Sequence, residues 1–238
     1  MSIILAIETS SEMASCALLR GDTVIARESS GVRTHSQSIL PMVQELLAEA
    51  GLSLKQCDAI AFGAGPGSFT GVRTACGIAQ GLAYGTGLPV LPLITLEAMA
   101  VACRQLHGAT DVVAVLDARM GEVYWAQYRF DSAAGLWREL AAPVLCAPGA
   151  VAPLPAEGPL AACGNGLAAY PDAFPASAFG ASYPDIMPHA AQLAPLGRAA
   201  LAAGRAVGAA EAQPLYLRNK IAYTSAERSA INAAKAAA

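Results

Sequence analysis

The 238-residue sequence predicts an α/β protein of two related lobes, each a mixed sheet flanked by helices. One observation is a three-strand pattern written twice, in Ile4 to Ser29 (ILAIETSSEMASCALLRGDTVIARES) and in Val112 to Leu140 (VVAVLDARMGEVYWAQYRFDSAAGLWREL). Each copy opens on an apolar strand ending at a carboxylate, Glu8 or Asp117, and passes through a polar turn into a second and a third strand. A second observation is that short apolar runs between the copies alternate with longer amphipathic ones, as a sheet alternates with the helices on its faces.

In the first copy the Gly21-Asp22 step suits a tight hairpin, and in the second Gly121 opens the middle strand. From about Ser36 to Ala50, the residues Ile39, Met42, Val43, Leu46 and Leu47 recur at helical spacing, with Pro41 tolerated near the first turn. Such a stripe serves either the chain's own core or a partner's surface. Next comes Asp58 to Gly87, the most informative stretch. Ala59 to Phe62 reads as a buried strand, Gly63, Gly65, Pro66 and Gly67 end it, and Thr70 is expected to cap a helix entered by Gly71 and Val72. Free N–H groups at a helix start can hold an anion. Yet no lysine follows, the spacing matches neither G-x-x-x-x-G-K-[ST] nor G-x-G-x-x-G, and the cation nearby is Arg73. The turn is therefore either an anion site or a tight connection that brings strand and helix close.

Within that helix Gly71, Ala75, Ala79 and Ala83 form one row four residues apart, and Gly77, Gly81 and Gly85 form a second. A helical glycine costs about 1 kcal/mol relative to alanine. Three of them need a reason, and closely packed backbone on more than one face is the expected one. A strand at Pro89 to Leu93 and a helix from Thr95 to about Leu106 complete the first lobe, residues 1–106. The second, 107–224, continues with a Pro/Ala-rich loop (Pro143 to Pro159), a strand and turn (Leu160 to Gly166), an irregular stretch (Phe174 to Pro188), an alanine-rich helix (Ala190 to Val207) and an extended Pro214 to Arg218. Residues 225–238 read as a frayed helix or disordered tail.

Composition narrows the function class. The net charge of −3 argues against a general nucleic-acid binder, although from Arg198 onward six cations face two acids, leaving +4 there and −7 on the rest. The most apolar window, Leu82 to Ala102, contains Pro89, Pro92 and Glu97 and reads as helix end, strand and new helix, so no membrane span is expected. The start carries no export signal, and six scattered cysteines without a C-x-x-C pair read as buried thiols of a cytoplasmic protein. His35, His107 and His189 are too far apart for a local metal motif, so no metal is expected.

The ordered pieces ILAIETSS, HSQSILPMV, AFGAGPGSFTGVR, LDARMGEVY and PLYLR resemble the TsaB (YeaZ) family over essentially the whole length, with GPGSFTG-R the most specific element. The resemblance implies an actin-like, Hsp70-like fold of the ribonuclease H-like (ASKHA) class, a duplicated βββαβα lobe. It implies cytoplasmic work on N6-threonylcarbamoyladenosine, next to the anticodon of tRNAs reading codons that begin with A. In that system TsaD transfers the threonylcarbamoyl group from threonylcarbamoyl-AMP, TsaB is its paralogous partner, and TsaE is an ATPase. TsaD carries a histidine pair for a metal; no such pair exists here.

No catalytic residue is assigned, and no cofactor is expected in this chain, ATP and threonylcarbamoyl-AMP being used by the complex. The cleft of the fold, where an anion or nucleotide would sit, is expected among Glu8, Thr9, Ser10, Gly65, Gly67, Ser68, Thr70, Gly71, Arg73 and Asp117. Glu8 is read as a metal or water ligand, a cap, or a partner of Arg73 or Arg119; Asp117 as an ion pair with Arg119. Ser68 and Thr70 have no histidine base nearby in sequence. The turn Thr9-Ser10-Ser11-Glu12 lacks the glycine that would let backbone wrap a phosphate, so nucleotide hydrolysis is not expected. Tyr216 and Arg218 are expected to anchor the tail across the lobes. The surface expected to meet TsaD, or a second copy without it, combines His35, Ile39, Met42, Val43 and Leu46 with Ala75, Gly77, Ala79 and Gly81. Two rival readings are a nucleotide-dependent or glycoprotease-type enzyme and a tRNA-binding module acting through the basic tail.

Overall fold

The structure, a computed structural model, describes residues 2–30 and 35–218; the tail expected at 225–238, with Arg228 and Lys235, lies outside them, as does Lys220. In chain order the elements are β1 (Ile3–Glu8), β2 (Ala14–Arg20), β3 (Thr23–Ser29), α1 (His35–Glu49), β4 (Ala59–Gly65), α2 (Phe69–Thr86), β5 (Val90–Ile94), α3 (Thr95–His107), β6 (Asp111–Arg119), β7 (Glu122–Asp131), β8 (Leu136–Cys146), β9 (Leu160–Cys163), α4 (Gly166–Ala169), β10 (Ala181–Tyr183) and α5 (Ala190–Ala202).

They build two five-stranded mixed sheets of identical order, β3-β2-β1-β4-β5 and β8-β7-β6-β9-β10. In each, the three leading strands pair antiparallel and the last two join in parallel. The duplication read from the sequence is thus a duplication of sheet topology. The register adds a correction. Ile7 pairs with Phe62, which precedes Gly63, and Ala114 pairs with Cys163, which precedes Gly164. Aligned on that strand-glycine step, Glu8 matches Val115, and Asp117 stands two residues further along the longer β6. The cause is turn length: β6 runs on to a turn at Met120-Gly121, whereas β1 stops before a five-residue turn.

Both faces of both sheets are covered, which is why β1 reads as an unbroken apolar run. Leu5, Ile7 and Leu18 pack under α1 and α2, while Ile4, Ala6, Ala61 and Leu91 pack under Leu193 and Ala194 of α5. A Cβ on Gly197 of α5 would lie 3.0 Å from both Ala61 and Ile4, so this glycine sets the approach of helix to sheet. On the second sheet Val112, Ala114 and Tyr128 meet Leu96, Met99 and Cys103 of α3, and the opposite face is closed by Leu167 and Phe174. The helix that ends the first repeat therefore lies on the second sheet, and the helix that ends the second lies on the first.

Several expectations are corrected. Ile39, Met42, Val43, Leu46, Ala75 and Ala79 are buried in the chain's own core and are not available to a partner. The glycine helix is covered along that row and beside it at Val72 and Cys76, but not along the second glycine row, since among the described residues a Cβ at Gly77, Gly81 or Gly85 would meet nothing within 4 Å. Its cap is Ser68, whose side chain accepts from the Gly71 N–H; Thr70 sits one step inside the helix. The α5 helix stops at Ala202 because Gly204 takes φ 68° and Val207 turns to exchange backbone hydrogen bonds with Val90 at 2.9 Å. β8 continues through Pro143 to Cys146, tolerated because it is an edge strand whose register shifts there. Residues 181–183, inside the stretch read as irregular, add β10 beside β9. Among the described residues no helix is long and apolar enough to cross a membrane.

Candidate functional site

The β1–β2 turn sits directly on the start of α2. The Ser68 N–H donates to the Ser10 carbonyl at 2.7 Å, and the Thr9 hydroxyl donates to the Gly71 carbonyl at 2.7 Å. A Cβ on Gly71 would come within 1.9 Å of the Thr9 carbonyl oxygen, and one on Gly67 within 2.6 Å of Ser10. Only glycine fits at either place. Gly65, at φ 113°, turns the chain out of β4. These contacts favour the tight-connection reading of the glycine turn. The helix terminus that could receive an anion gives an N–H to the chain's own carbonyl.

Glu8 lies at the floor of this contact, fully buried. Its Oε1 accepts from the Ser10 N–H, while Oε2 has no hydrogen-bond partner among the described residues and fills the space that a side chain on Gly63 would need. Burial pushes its carboxyl up to about 7, against the opposing pull of the Ser10 and Thr9 amides. Among the described residues no cation reaches it, so the alternative of a pairing with Arg73 or Arg119 is not realised and that of capping the turn is. Arg73 turns outward, its guanidinium carbon 3.3 Å from the Phe69 ring centroid and 4.6 Å from that of Tyr216, where aromatic faces hold it away from the acid.

Asp117 does pair with Arg119, at 3.3 Å, and also accepts from the Arg119 N–H and the Tyr170 hydroxyl. Asn165 accepts from the Asp117 N–H at 2.9 Å. Asn165 and Tyr170 were missed in the sequence; the signal for the first was the C-G-N-G of residues 163–166, which repeats the F-G-A-G of 62–65. Across the gap, Arg119 reaches Glu12 at 3.3 Å, and the His35 ring lies 3.2 Å from the Glu12 carbonyl.

Between the sheets lies a cleft of about 490 Å³, lined among others by Ser10, Glu12, His35, Ser68, Asp117 and Arg218. Of the expected site residues it brings together Ser10, Gly67, Ser68 and Asp117; Glu8, Thr9, Gly65, Thr70, Gly71 and Arg73 are not on its wall. The Ser68 N–H is committed, Glu8 is sealed beneath the turn, and Leu215 to Arg218 run along the cleft wall.

Arg218 fulfils its expected anchoring role: its guanidinium donates to the carbonyls of Ala118 and Arg119 and meets Glu122 at 2.8 Å. Tyr216 anchors through its stacking with Arg73.

The second, exposed face of α2 is the other candidate site. Gly77, Gly81 and Gly85 leave it without side chains, and Tyr84 beside them is 88 % exposed. Of the interface residues expected from sequence, Gly77 and Gly81 are open to a partner in this way, whereas His35 is half-buried at the cleft.

Comparison with known proteins places these features in context. The family model for TsaD: tRNA N6-adenosine threonylcarbamoyltransferase matches residues 22–234. A protein of Haemophilus influenzae, tRNA threonylcarbamoyladenosine biosynthesis protein TsaB, is 40 % identical over 227 residues, covering 92 % of this chain and 95 % of that one. Its Escherichia coli namesake is 41 % identical over 223 residues, covering 92 % and 96 %. The solved structure of YeaZ from Pseudomonas aeruginosa superposes with a TM-score of 0.84 at 40 % identity, covering 91 % of this chain and all of that one (100 %).

Proposed function

The chain belongs to the TsaB family, and from that premise we propose that it serves tRNA threonylcarbamoyladenosine biosynthesis as a non-catalytic partner of TsaD. The part in that biosynthesis follows from family membership; the partner role rests on the face of α2. Three helical glycines cost roughly 3 kcal/mol together relative to alanine, and nothing among the described residues approaches Gly77, Gly81 or Gly85 closely enough to need them. The reason we infer for them is a partner's backbone packed against this face. TsaD is the occupant, TsaE joins the pair, and without TsaD the same face closes on a second copy. ATP and threonylcarbamoyl-AMP are handled by the partners, in the cytoplasm, and tRNA is met through the complex.

The β1–β2 turn clamped on the start of α2 supports the non-catalytic half of the reading. A tagged chain should retain TsaD and TsaE through purification, and the purified chain alone should turn over no ATP. Failure to retain TsaD, or ATP turnover lost on Glu8→Ala, overturns the proposal.

A further inference from the structure

We propose that Ala212 to Arg218 is a latch that holds the two lobes at a set closure over the cleft. The segment belongs to neither sheet, yet it is tied to both. At one end the Ala212 carbonyl accepts from the Gln80 side chain at 2.9 Å and from the Cys76 thiol at 3.4 Å, both on α2. In the middle the Leu215 N–H donates to the Ala64 carbonyl of β4 at 2.8 Å. At the other end Arg218 grips the β6–β7 turn of the second sheet.

That grip is strong for three reasons. The Arg218 side chain is 12 % exposed, so its ion pair with Glu122 is screened far less than a surface pair. One guanidinium nitrogen, Nη2, serves Glu122 and the carbonyls of Ala118 and Arg119 together while Nη1 reaches the Met120 sulfur, a two-nitrogen grip of which a lysine ammonium could copy only part. The turn it grips also needs holding: Arg119, Met120 and Gly121 have φ of 62°, 60° and 76°, and the first two are residues for which this region is unfavourable. By contrast Arg119 and Glu12, which also bridge the cleft, are 74 % and 93 % exposed and hold little by themselves. Arg218 acts as a positioning residue: it holds the turn, and the turn carries Arg119 to Glu12 on the opposite lobe.

Hydrogen–deuterium exchange of the full chain tests this with Arg218→Ala, Arg218→Lys and Glu122→Gln. Release of the latch should speed exchange at least about tenfold at Leu215 and in residues 9–13 as well as in 118–122, because a hydrogen bond to a charged group is commonly worth that factor or more. Arg218→Lys, which keeps one nitrogen for the three oxygens, should fall between wild type and Arg218→Ala, and Glu122→Gln, which spares the two carbonyl bonds, should give a smaller change than Arg218→Ala in the same places. If only 118–122 speeds up, Arg218 caps its own turn and holds no lobes together, and the latch is refuted. Should Arg218→Ala fail to fold, Glu122→Gln decides alone: unchanged exchange at Leu215 and 9–13 refutes the proposal equally.

Discussion

Leucine placed at Ala79 and at Gly81, two positions apart on α2, should have opposite consequences. Ala79 is fully buried against the first sheet, so three added carbons must displace packed neighbours. Overpacking of that kind costs about 1–3 kcal/mol, which for a protein of this size lowers Tm by about 2–12 °C. At Gly81 a Cβ meets nothing within 4 Å among the described residues. There leucine recovers roughly 0.8 kcal/mol of helix propensity, so Tm should hold or rise by up to about 3 °C. If that face meets a partner backbone, the same leucine pushes the two helices apart. Loss of a close-packed contact at the centre of an interface costs about 2 kcal/mol or more, roughly thirtyfold in Kd. Scanning calorimetry and titration of purified TsaD into each variant measure both quantities. Ala79→Leu should be less stable with normal affinity in whatever remains folded, and Gly81→Leu stable with weakened affinity. Wild-type affinity in Gly81→Leu would refute the interface, and destabilisation of Gly81→Leu to the extent of Ala79→Leu would refute the assignment of the two helix faces.

Further expectations concern the turn beneath the cleft. The Glu8 carboxyl titrates near 7 in the folded chain and near 4.5 when unfolded, so the folded state holds a proton that the unfolded state releases between these values. Stability should fall as pH rises through that window, by on the order of 3 kcal/mol in total. Glu8→Gln should remove the fall, matching wild type near pH 4.5 and exceeding it at pH 8 in denaturant titrations; equal stability at pH 8 would contradict the burial argument. Gly71→Ala drives a methyl into the Thr9 carbonyl and should cost about 2–4 kcal/mol in the same assay. ATP hydrolysis by the purified chain should remain at background, because the cation beside the Gly65 to Gly71 turn, Arg73, is held on Phe69 and Tyr216 off the cleft wall and not where it would stabilise charge on a γ-phosphate; turnover abolished by Asp117→Ala would be the contrary result.

What the sequence determined by itself is local and periodic. The alternation of apolar runs with helical stripes, the punctuation by Gly63 to Gly67 and the twice-written hairpin pattern were enough to predict two sheets of like topology, because each depends on neighbours within a few residues. Glu8, Asp117 with Arg119, and Arg218 were legible as residues of consequence for the same reason: charge at a strand end or in an apolar segment is conspicuous. Which surface each row of α2 meets was not legible. Ala75 and Ala79 repeat every four residues as Gly77 and Gly81 do, and the difference between core and open face lies in where the sheet passes, a non-local fact. The two-residue offset of Asp117 from Glu8 likewise depends on how far β6 runs before it turns. The tie between Ala212 and Arg218 left the faintest trace in the sequence. Its partners are largely backbone carbonyls, which every residue carries alike, and only the assembled fold brings those of Ala64 and Ala118 to the same strap.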